Sequence, residues 1–314
     1  MTYPSSTEQM LEEQTVQGYP VYPDMPWDVE QFEDKFVKVG DLTVRYWTMG
    51  ESGPPVILVH GLGASVEFWV RNIPILARHY RVFAVDIVGF GRSDKPLEYD
   101  WDVERVADFM DDFLIAIGLD KVHWVANSMG GLIALVTAAR HPAHSLSLTL
   151  VDSAGFSRRV TWLFRLMAIP LLGELLTMLG TWALRFILRR LFADPKQVPE
   201  HWVQVWAKIL QQPGARRSFL RVLRSGIGPF GVKRRILDIA DSVVGQIACP
   251  TLIIWGLQDR ILPFDGGLRA LSKIPGAQLH VWDGAGHLPM LEKAASFNGV
   301  ILNWLAETSR RHAS

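Results

Sequence analysis

The sequence predicts an α/β protein: a mostly parallel sheet with helices on both faces and an inserted helical cap. Short, continuously apolar runs alternate with segments of helical length, as expected for parallel strands that are buried on both sides. Late in the chain, an apolar, basic and proline-punctuated stretch interrupts this alternation. The regular part therefore predicts the sheet, and the interruption predicts a separate helical unit inserted into it.

Composition excludes several classes of protein. The chain has 314 residues, is 49% hydrophobic and has a formal net charge of +0, so nothing in its overall charge favours nucleic acid. Its one cysteine, Cys249, rules out a disulfide framework. The start, MTYPSSTEQMLEEQ, lacks the basic and apolar regions of a signal peptide, and no run reaches the roughly 18 apolar residues of a membrane span. We expect a cytoplasmic protein.

The first elements along the chain are an arm and a hairpin. Residues 1–35 are expected to form an N-terminal arm, because they are polar, contain scattered prolines and include eight acids but no bases from Met1 to Asp34. The following FVKVGDLTVRYWTMG has alternating apolar residues around Gly40-Asp41, which is typical of a hairpin.

The core is predicted to span 36–155 and 238–314, on either side of the insertion. Apolar runs there predict further strands, and the segments between and after them have the length and patterning of helices. The predicted strands are 55–60, 81–86, 121–127, 146–152, 250–256 and 277–283, and the predicted helices lie near 69–79, 102–117, 129–141 and 290–307.

The predicted cap spans 156–237 and differs from the rest of the chain in charge. Between Phe156 and Leu237 there are fifteen Lys/Arg and three Asp/Glu, a net charge of +12. Five helical pieces are expected, and an insertion at this point would lie above the carboxyl ends of the strands, where open α/β sheets bind ligands. A basic, apolar-rich helical surface is also typical of contact with anionic lipid, so peripheral membrane contact stays open.

The candidate nucleophile is Ser128. It follows an apolar strand and precedes a helix in Ala126-Asn127-Ser128-Met129-Gly130, close to the Gly-x-Ser-x-Gly pattern of a strained strand-to-helix turn that exposes a serine. Alanine replaces the first glycine, the smallest change available. A serine before a helix is commonly only a cap, so the assignment depends on partners elsewhere in the chain.

Two later loops supply those partners. Asp259 follows a predicted strand in LQDRILP, and His287 precedes a helix in GAGHLPMLE, which gives the chain order Ser, Asp, His. His287 is expected to take the proton from Ser128, and Asp259 to orient the imidazole and stabilise its cation. Asp152 also ends a strand and is the rival for this acidic role.

The glycine-rich VHGLGAS (59–65) completes the candidate site. Its backbone is expected to turn the amide of Leu62 toward a ligand, and Leu62 and Met129 would form an oxyanion hole. The candidate substrate-binding residues are His60, which would brace this loop, and Phe156 and Trp162, which stand where the cap begins. Asp86 is expected to be structural, and the scattered histidines do not favour a metal site.

Taken together, these motifs resemble those of the α/β-hydrolase family, in its subgroup with a helical cap. The resemblance covers 36–307 and rests on HGLGAS (60–65), DIVGFGRSDKP (86–96), NSMGG (127–131) and the pair GLQDRILP/GAGHLP. It implies an eight-stranded, mostly parallel sheet, no cofactor and a covalent acyl-enzyme. It also favours Asp259 over Asp152, because the loop around Asp259 matches the family pattern, and Ser128 argues against the dehalogenase and epoxide hydrolase branches, which carry aspartate there.

The expected activity is hydrolysis of carboxylic esters with an apolar acyl group, as in esterases, lipases and monoacylglycerol lipases. The rival is the branch that cleaves carbon–carbon bonds of ring-fission products. Its members usually have a glycine-rich HGGGPG-type loop and a cap arginine before tryptophan, whereas this chain has HGLGAS and Val205 before Trp206. A ligand receptor that keeps the three residues, and a perhydrolase, also remain open.

Overall fold

A computed structural model of the protein describes residues 22–178 and 180–313. Eight strands form one sheet in the order β1-β2-β4-β3-β5-β6-β7-β8, in which only the pairs β1/β2 and β2/β4 are antiparallel. The predicted eight-stranded, mostly parallel sheet is therefore confirmed. The strands are β1 (Lys35–Val39), β2 (Leu42–Met49), β3 (Pro55–Val59), β4 (Arg81–Val85), β5 (Val122–Asn127), β6 (Ser145–Val151), β7 (Thr251–Gly256) and β8 (Gln278–Trp282).

The helices fall into two groups, those that flank the sheet and those between β6 and β7. The flanking group is α1 (Ile73–Leu76), α2 (Val103–Ala116), α3 (Met129–Arg140), α10 (Asp265–Lys273), α11 (Pro289–Glu292) and α12 (Ala294–Ala313). The group between β6 and β7 is α4 (Trp162–Met167), α5 (Leu172–Thr177), α6 (Gly180–Leu191), α7 (Glu200–Leu210), α8 (Ala215–Gly226) and α9 (Arg234–Val243). Among the described residues, no helix is both long and apolar enough to cross a membrane.

The central strands β3, β5 and β7 are buried along their whole length, which explains their unbroken apolar sequences. The prediction of a helix near 69–79 is wrong, because the structure has a 3-10 turn, Val66–Trp69, and then the single helical turn of α1. The apolar residues of this segment are buried against the core without helical spacing. The apolar pattern of this segment therefore indicates burial and not a long helix.

The cap contains one feature that the sequence did not predict. The two-residue strands Ile227–Gly228 and Gly231–Val232 form a small antiparallel ribbon after α8. The proposed boundary at 237 falls inside α9, which also packs on α3 of the core. The limits 156–237 thus remain a proposal, and we keep the name cap for that segment.

The described part of the N-terminal arm begins at residue 22, and residues 1–21 lie outside the described residues. From there the arm packs between core and cap. The Trp27 ring contacts the Trp202 ring edge-on, with 5.0 Å between centroids. The backbone carbonyl oxygen of Trp27 lies 3.1 Å from His201 Nε2. The Arg71 guanidinium of the core lies 5.1 Å over the Trp27 ring. The arm thus connects the two units through an aromatic contact.

Candidate active site

Ser128 stands at a strained turn between β5 and α3. Its backbone has φ 59° and ψ −122°, a conformation in which few residues other than glycine are found. The turn is held because the Ser128 amide donates to the Val151 carbonyl at 2.9 Å and the Ser128 carbonyl accepts from Ala154 N at 2.9 Å. Strain at a serine in this context is typical of a nucleophile presented at the end of a strand.

Position 130 must be glycine because there is no room for a side chain there. A Cβ there would lie 2.4 Å from the His60 carbonyl oxygen, so any side chain would push α3 away from the loop after β3. Ala126, which replaces the first glycine of the usual pattern, is a fully buried residue of β5 paired with Leu150 and Val59. Its methyl group is accommodated as in an ordinary strand, so the departure from the pattern leaves the turn intact.

The loop after β3 lies directly against the serine. A Cβ on Gly61 would be 2.9 Å from Ser128 Cβ and 3.3 Å from Ser128 Oγ, which places the Gly61 backbone beside the hydroxyl. Among the described residues, the amides of Leu62 and Met129 donate to no carbonyl group in the turns and loops. Their role as donors to a developing oxyanion stays a proposal.

Two buried side chains brace this loop from behind. His60 Nε2 accepts from the Ile87 amide at 3.1 Å, which leaves Nδ1 to donate to the Gly61 carbonyl at 2.8 Å. Burial lowers the pKa of His60 to about 4, so the ring is neutral. Asp86 Oδ1 accepts from the Val66 amide at 2.8 Å, in the structural role expected of it. The loop is therefore positioned before any ligand arrives.

His287 and Asp259 are brought together by the loops after β8 and β7. Asp259 Oδ2 lies 2.7 Å from His287 Nδ1, while Asp259 Oδ1 accepts from the amides of Ile261 and Leu262. Asn127, the neighbour of Ser128, donates from Nδ2 to the His287 carbonyl at 3.2 Å, which ties the histidine loop to the nucleophile turn. Ser128 Oγ and the His287 ring, both among the described residues, are not hydrogen-bonded to each other, and this contact is often long without substrate.

Asp152, the rival acid, lies behind this pair. It is fully buried, and Oδ1 accepts from the Gly256 amide at 3.0 Å. Burial and the nearby Asp259 carboxylate raise the pKa of Asp152 well above the ordinary range. Asp152, Asp259 and His287 offer ligand atoms within 4.8 Å of one another, a spacing that could hold a metal ion. The hydrogen bond between His287 and Asp259 already uses two of those groups.

Glu292 is a site residue that sequence reasoning missed. Its carboxylate accepts from the Gly286 amide at 2.8 Å and from the Ala193 amide at 2.6 Å, and the His287 amide donates to the Leu191 carbonyl at 2.7 Å. Gly286 precedes the histidine, and Leu191 ends α6 of the cap. Glu292 thus joins the histidine loop to the cap.

The pH dependence of stability should report on this buried carboxyl. Burial raises the pKa of Glu292 to about 7, against an ordinary value of 4.5, although the surrounding amides oppose the shift. Between about pH 4.5 and 7 the folded protein therefore binds more protons than the unfolded chain, so the free energy of unfolding falls as pH rises, by about 3 kcal/mol in total. Urea unfolding at several pH values should show this fall.

The control for that prediction compares two glutamines. Glu292→Gln cannot titrate, so its free energy of unfolding should lack the corresponding part of the slope. Glu104→Gln, on the exposed first turn of α2, should keep the slope of the unaltered protein. Equal slopes in the unaltered protein and Glu292→Gln would contradict the assignment.

Two apolar cavities meet near Ser128. The smaller, about 100 Å³, is lined by Ser128, Met129 and Leu62, and among the described residues that line it none is charged. The larger, about 400 Å³, lies among the helices of the cap, and Thr177, Gln211 and Arg216 are its few polar or charged lining residues. Leu62 and Phe164 line both cavities, so these two side chains stand where one space adjoins the other.

The three candidate substrate contacts have different surroundings. Trp162 lines the larger cavity and lies edge-to-face with Phe186. Phe156 is fully buried and lines neither cavity, so the prediction that it contacts substrate is corrected: its ring packs into the core although its backbone follows β6. His60 also lines neither cavity, since its ring is enclosed behind the loop, and we correct its substrate-binding role to that of a brace.

Comparison with known proteins gives matches over most of the chain. A family model described as alpha/beta hydrolase fold matches residues 54–294. The 2-hydroxy-6-oxo-6-phenylhexa-2,4-dienoate hydrolase of Burkholderia cepacia is 31% identical over 81% of this chain and 88% of that protein. The solved meta-cleavage product hydrolase from Pseudomonas fluorescens IP01 is 28% identical, with a TM-score of 0.74 over 87% of this chain and 97% of its own. A bacterial membrane phospholipase A is 26% identical, with a TM-score of 0.73 over 88% of this chain and 87% of its own.

Proposed function

The chain belongs to the alpha/beta hydrolase fold family, and from that premise we propose that it is a serine hydrolase of carboxylic esters with an apolar acyl group. The observation that carries the proposal is the apolar space at Ser128. An uncharged cavity at the serine adjoins a larger apolar cavity in the cap. Such a space suits a hydrocarbon chain with one reactive carbonyl group.

The proposed reaction uses five residues. Ser128 Oγ attacks the ester carbonyl carbon and gives its proton to His287, whose cation is stabilised by Asp259. The amides of Leu62 and Met129 bind the oxyanion of the tetrahedral intermediate, and one such donor is typically worth about 3 kcal/mol. The carbon–oxygen bond then breaks, and His287 returns the proton to the departing alcohol. Water, deprotonated by His287, releases the acid from Ser128 in the same way.

The second candidate is cleavage of a carbon–carbon bond in a ring-fission product. The similarity to the Burkholderia cepacia hydrolase favours it, since that protein's name gives a dienoate, a carboxylate, as its substrate. A buried carboxylate needs a cationic or hydrogen-bonding partner, and the cavity at Ser128 has no charged lining residue. Arg216 lines only the larger cavity. Loss of the yellow dienol absorbance at a rate above that of ester hydrolysis would favour this alternative.

A panel of p-nitrophenyl esters of increasing chain length tests the proposal. We expect multiple turnovers, which a single-turnover receptor would not give, and a kcat/KM that rises with acyl length while the chain fills the larger cavity. Ala207 is a buried lining residue of that cavity, so Ala207→Phe should lower kcat/KM for long-chain esters by about tenfold or more and leave acetate esters within a few-fold.

A matched variant on the same helix serves as the control. Gln204 is exposed on α7 and lines neither cavity, so Gln204→Phe should leave the chain-length profile unchanged. A profile that favours acetate in the unaltered protein, or one that Ala207→Phe does not alter, would contradict an acyl chain in the larger cavity. No ester turnover at all would overturn the proposed function.

A further inference from the structure

Exposed large apolar side chains are concentrated on one part of the cap. In the described part of the chain ten such side chains are exposed, and six of them lie on or between α4, α5 and α6. We call these six residues the apolar cap face: Trp162, Leu166, Leu171, Leu175, Met178 and Phe186. Clusters of this kind on a folded protein mark a surface that binds another protein or a membrane.

The helices that carry the apolar cap face pack on one another. Helix α4 packs on α5 and α5 on α6, and the rings of Trp162 and Phe186 lie 6.0 Å apart between centroids, edge to face. The turn between α4 and α5 places Leu171 in a left-handed conformation with φ 68° and leaves its side chain 83% exposed. Glycine would suit that backbone better, and leucine there adds apolar surface at a conformational cost.

The larger cavity opens on this face. Trp162, Leu166 and Phe186 are each exposed to solvent and also line the cavity, so they form its rim. The opening therefore leads from an apolar exterior to the apolar space in which the proposed function places an acyl chain. A substrate that entered here from a lipid phase would not need to pass its chain through water.

Arginines lie on and beside the helices that carry the apolar cap face. From Phe156 to Ala193 there are six arginines and one acid, Glu174, which Arg224 pairs at 2.7 Å. Two of the six, Arg159 and Arg185, pair with Asp265 and Glu200, and the other four have no recorded acid partner within 4.0 Å among the described residues. Arg190 lies 5.4 Å over the Trp162 ring, and Arg165 donates to the Pro229 carbonyl at 2.7 Å, beside the exposed Phe230. Arginines around an apolar face are the pattern expected where a protein meets anionic head groups and inserts apolar side chains below them.

We propose that the apolar cap face docks on an anionic lipid bilayer, with the mouth of the larger cavity turned toward the lipid. That the bilayer supplies the substrate rests on the proposed function, whereas the docking itself does not. The charge around the face selects an anionic surface. The cavity mouth on this face favours a lipid phase over a protein partner, because a bound protein would cover the mouth.

Vesicle flotation with Ser128→Ala tests docking without lipid turnover. We expect this protein to float with phosphatidylcholine vesicles that contain phosphatidylglycerol, and poorly with phosphatidylcholine alone. Adding Leu171→Glu and Leu175→Glu should weaken binding by about tenfold or more, because two charges then face the head groups. Leu97→Glu with Ile115→Glu, at two side chains 61% exposed outside the cap, should bind as before.

Three vesicle results would overturn the docking proposal: no binding to the anionic vesicles, equal binding to both vesicle types, or equal loss of binding in the two paired variants. A dimer in vesicle-free buffer that Leu171→Glu with Leu175→Glu dissociates would assign the face to a second copy and would also overturn it. In the same buffer, the two cap substitutions with Ser128 intact should keep short-chain ester turnover, since neither residue lines a cavity. Binding without ester turnover would reject the proposed function alone.

Discussion

Replacing Ser128 with alanine is expected to lower kcat for ester hydrolysis by about a million-fold. The hydroxyl forms the covalent bond to the acyl group in the proposed reaction, and it supplies the proton that His287 takes. A residual rate should persist above that in water, because the amides of Leu62 and Met129 still bind the oxyanion and the cavities still hold the ester. Steady-state kinetics with a chromogenic ester measure the fall.

The control for this loss is a second serine in the same cavity. Ser225 lines the smaller cavity, but its hydroxyl donates to the Val222 carbonyl at 2.8 Å and so belongs to its own helix. Ser225→Ala should stay within a few-fold of the unaltered protein. Full activity in Ser128→Ala would show that another group carries the reaction.

Replacing Arg45 with methionine is expected to lower the free energy of unfolding by about 3–5 kcal/mol. The guanidinium is 1% exposed and lies 2.6 Å from Asp34, 2.9 Å from Glu67 and 3.1 Å from Asp86. Burial opposes the charge on Arg45, but together these carboxylates outweigh it and raise the pKa of Arg45. Methionine would leave the carboxylates of Glu67 and Asp86 buried without a cation, and urea unfolding measures the cost.

The same change should reach the active site. Asp86 bonds the Val66 amide, which follows the loop of Leu62, so loss of Arg45 should also reduce kcat. Arg92→Met is the control, because Arg92 is 48% exposed and its ion pair with Asp34 should contribute less than about 1 kcal/mol. Arg45→Lys keeps the charge but lacks the several donors of the guanidinium, so its loss of unfolding free energy should lie between those of Arg45→Met and Arg92→Met. A loss below about 1 kcal/mol in Arg45→Met would contradict the account of the cluster.

The sheet and the turn at Ser128 could be predicted from the sequence because their signals are local. A strand buried on both faces must be apolar throughout, and PVILV in β3 satisfies that rule without reference to the rest of the chain. The strained turn at Ser128 requires small neighbours, and Gly130 shows why. His287 and Asp259 were found by chain order, and the structure brings their side chains together.

Features that depend on distant parts of the chain could not be predicted. Glu292 accepts a hydrogen bond from the Ala193 amide, ninety-nine positions away in the sequence, and no local sequence pattern predicts a contact at that distance. An acid in an otherwise apolar HLPMLE was the one available signal. The prediction that Phe156 contacts substrate was wrong for a related reason, because a position near a strand end does not determine which way the side chain points. The two-residue ribbon after α8 is too short to produce any alternation.

The most direct test of the central claim is detection of the acyl group on Ser128. Rapid mixing with a medium-chain p-nitrophenyl ester, an acid quench and mass spectrometry of the digested protein would locate any adduct during turnover. The account predicts the mass of the acyl group on the peptide that contains Ser128, with none in Ser128→Ala. Continued ester turnover with acyl groups on another residue, or on none under conditions that trap esters, would contradict it.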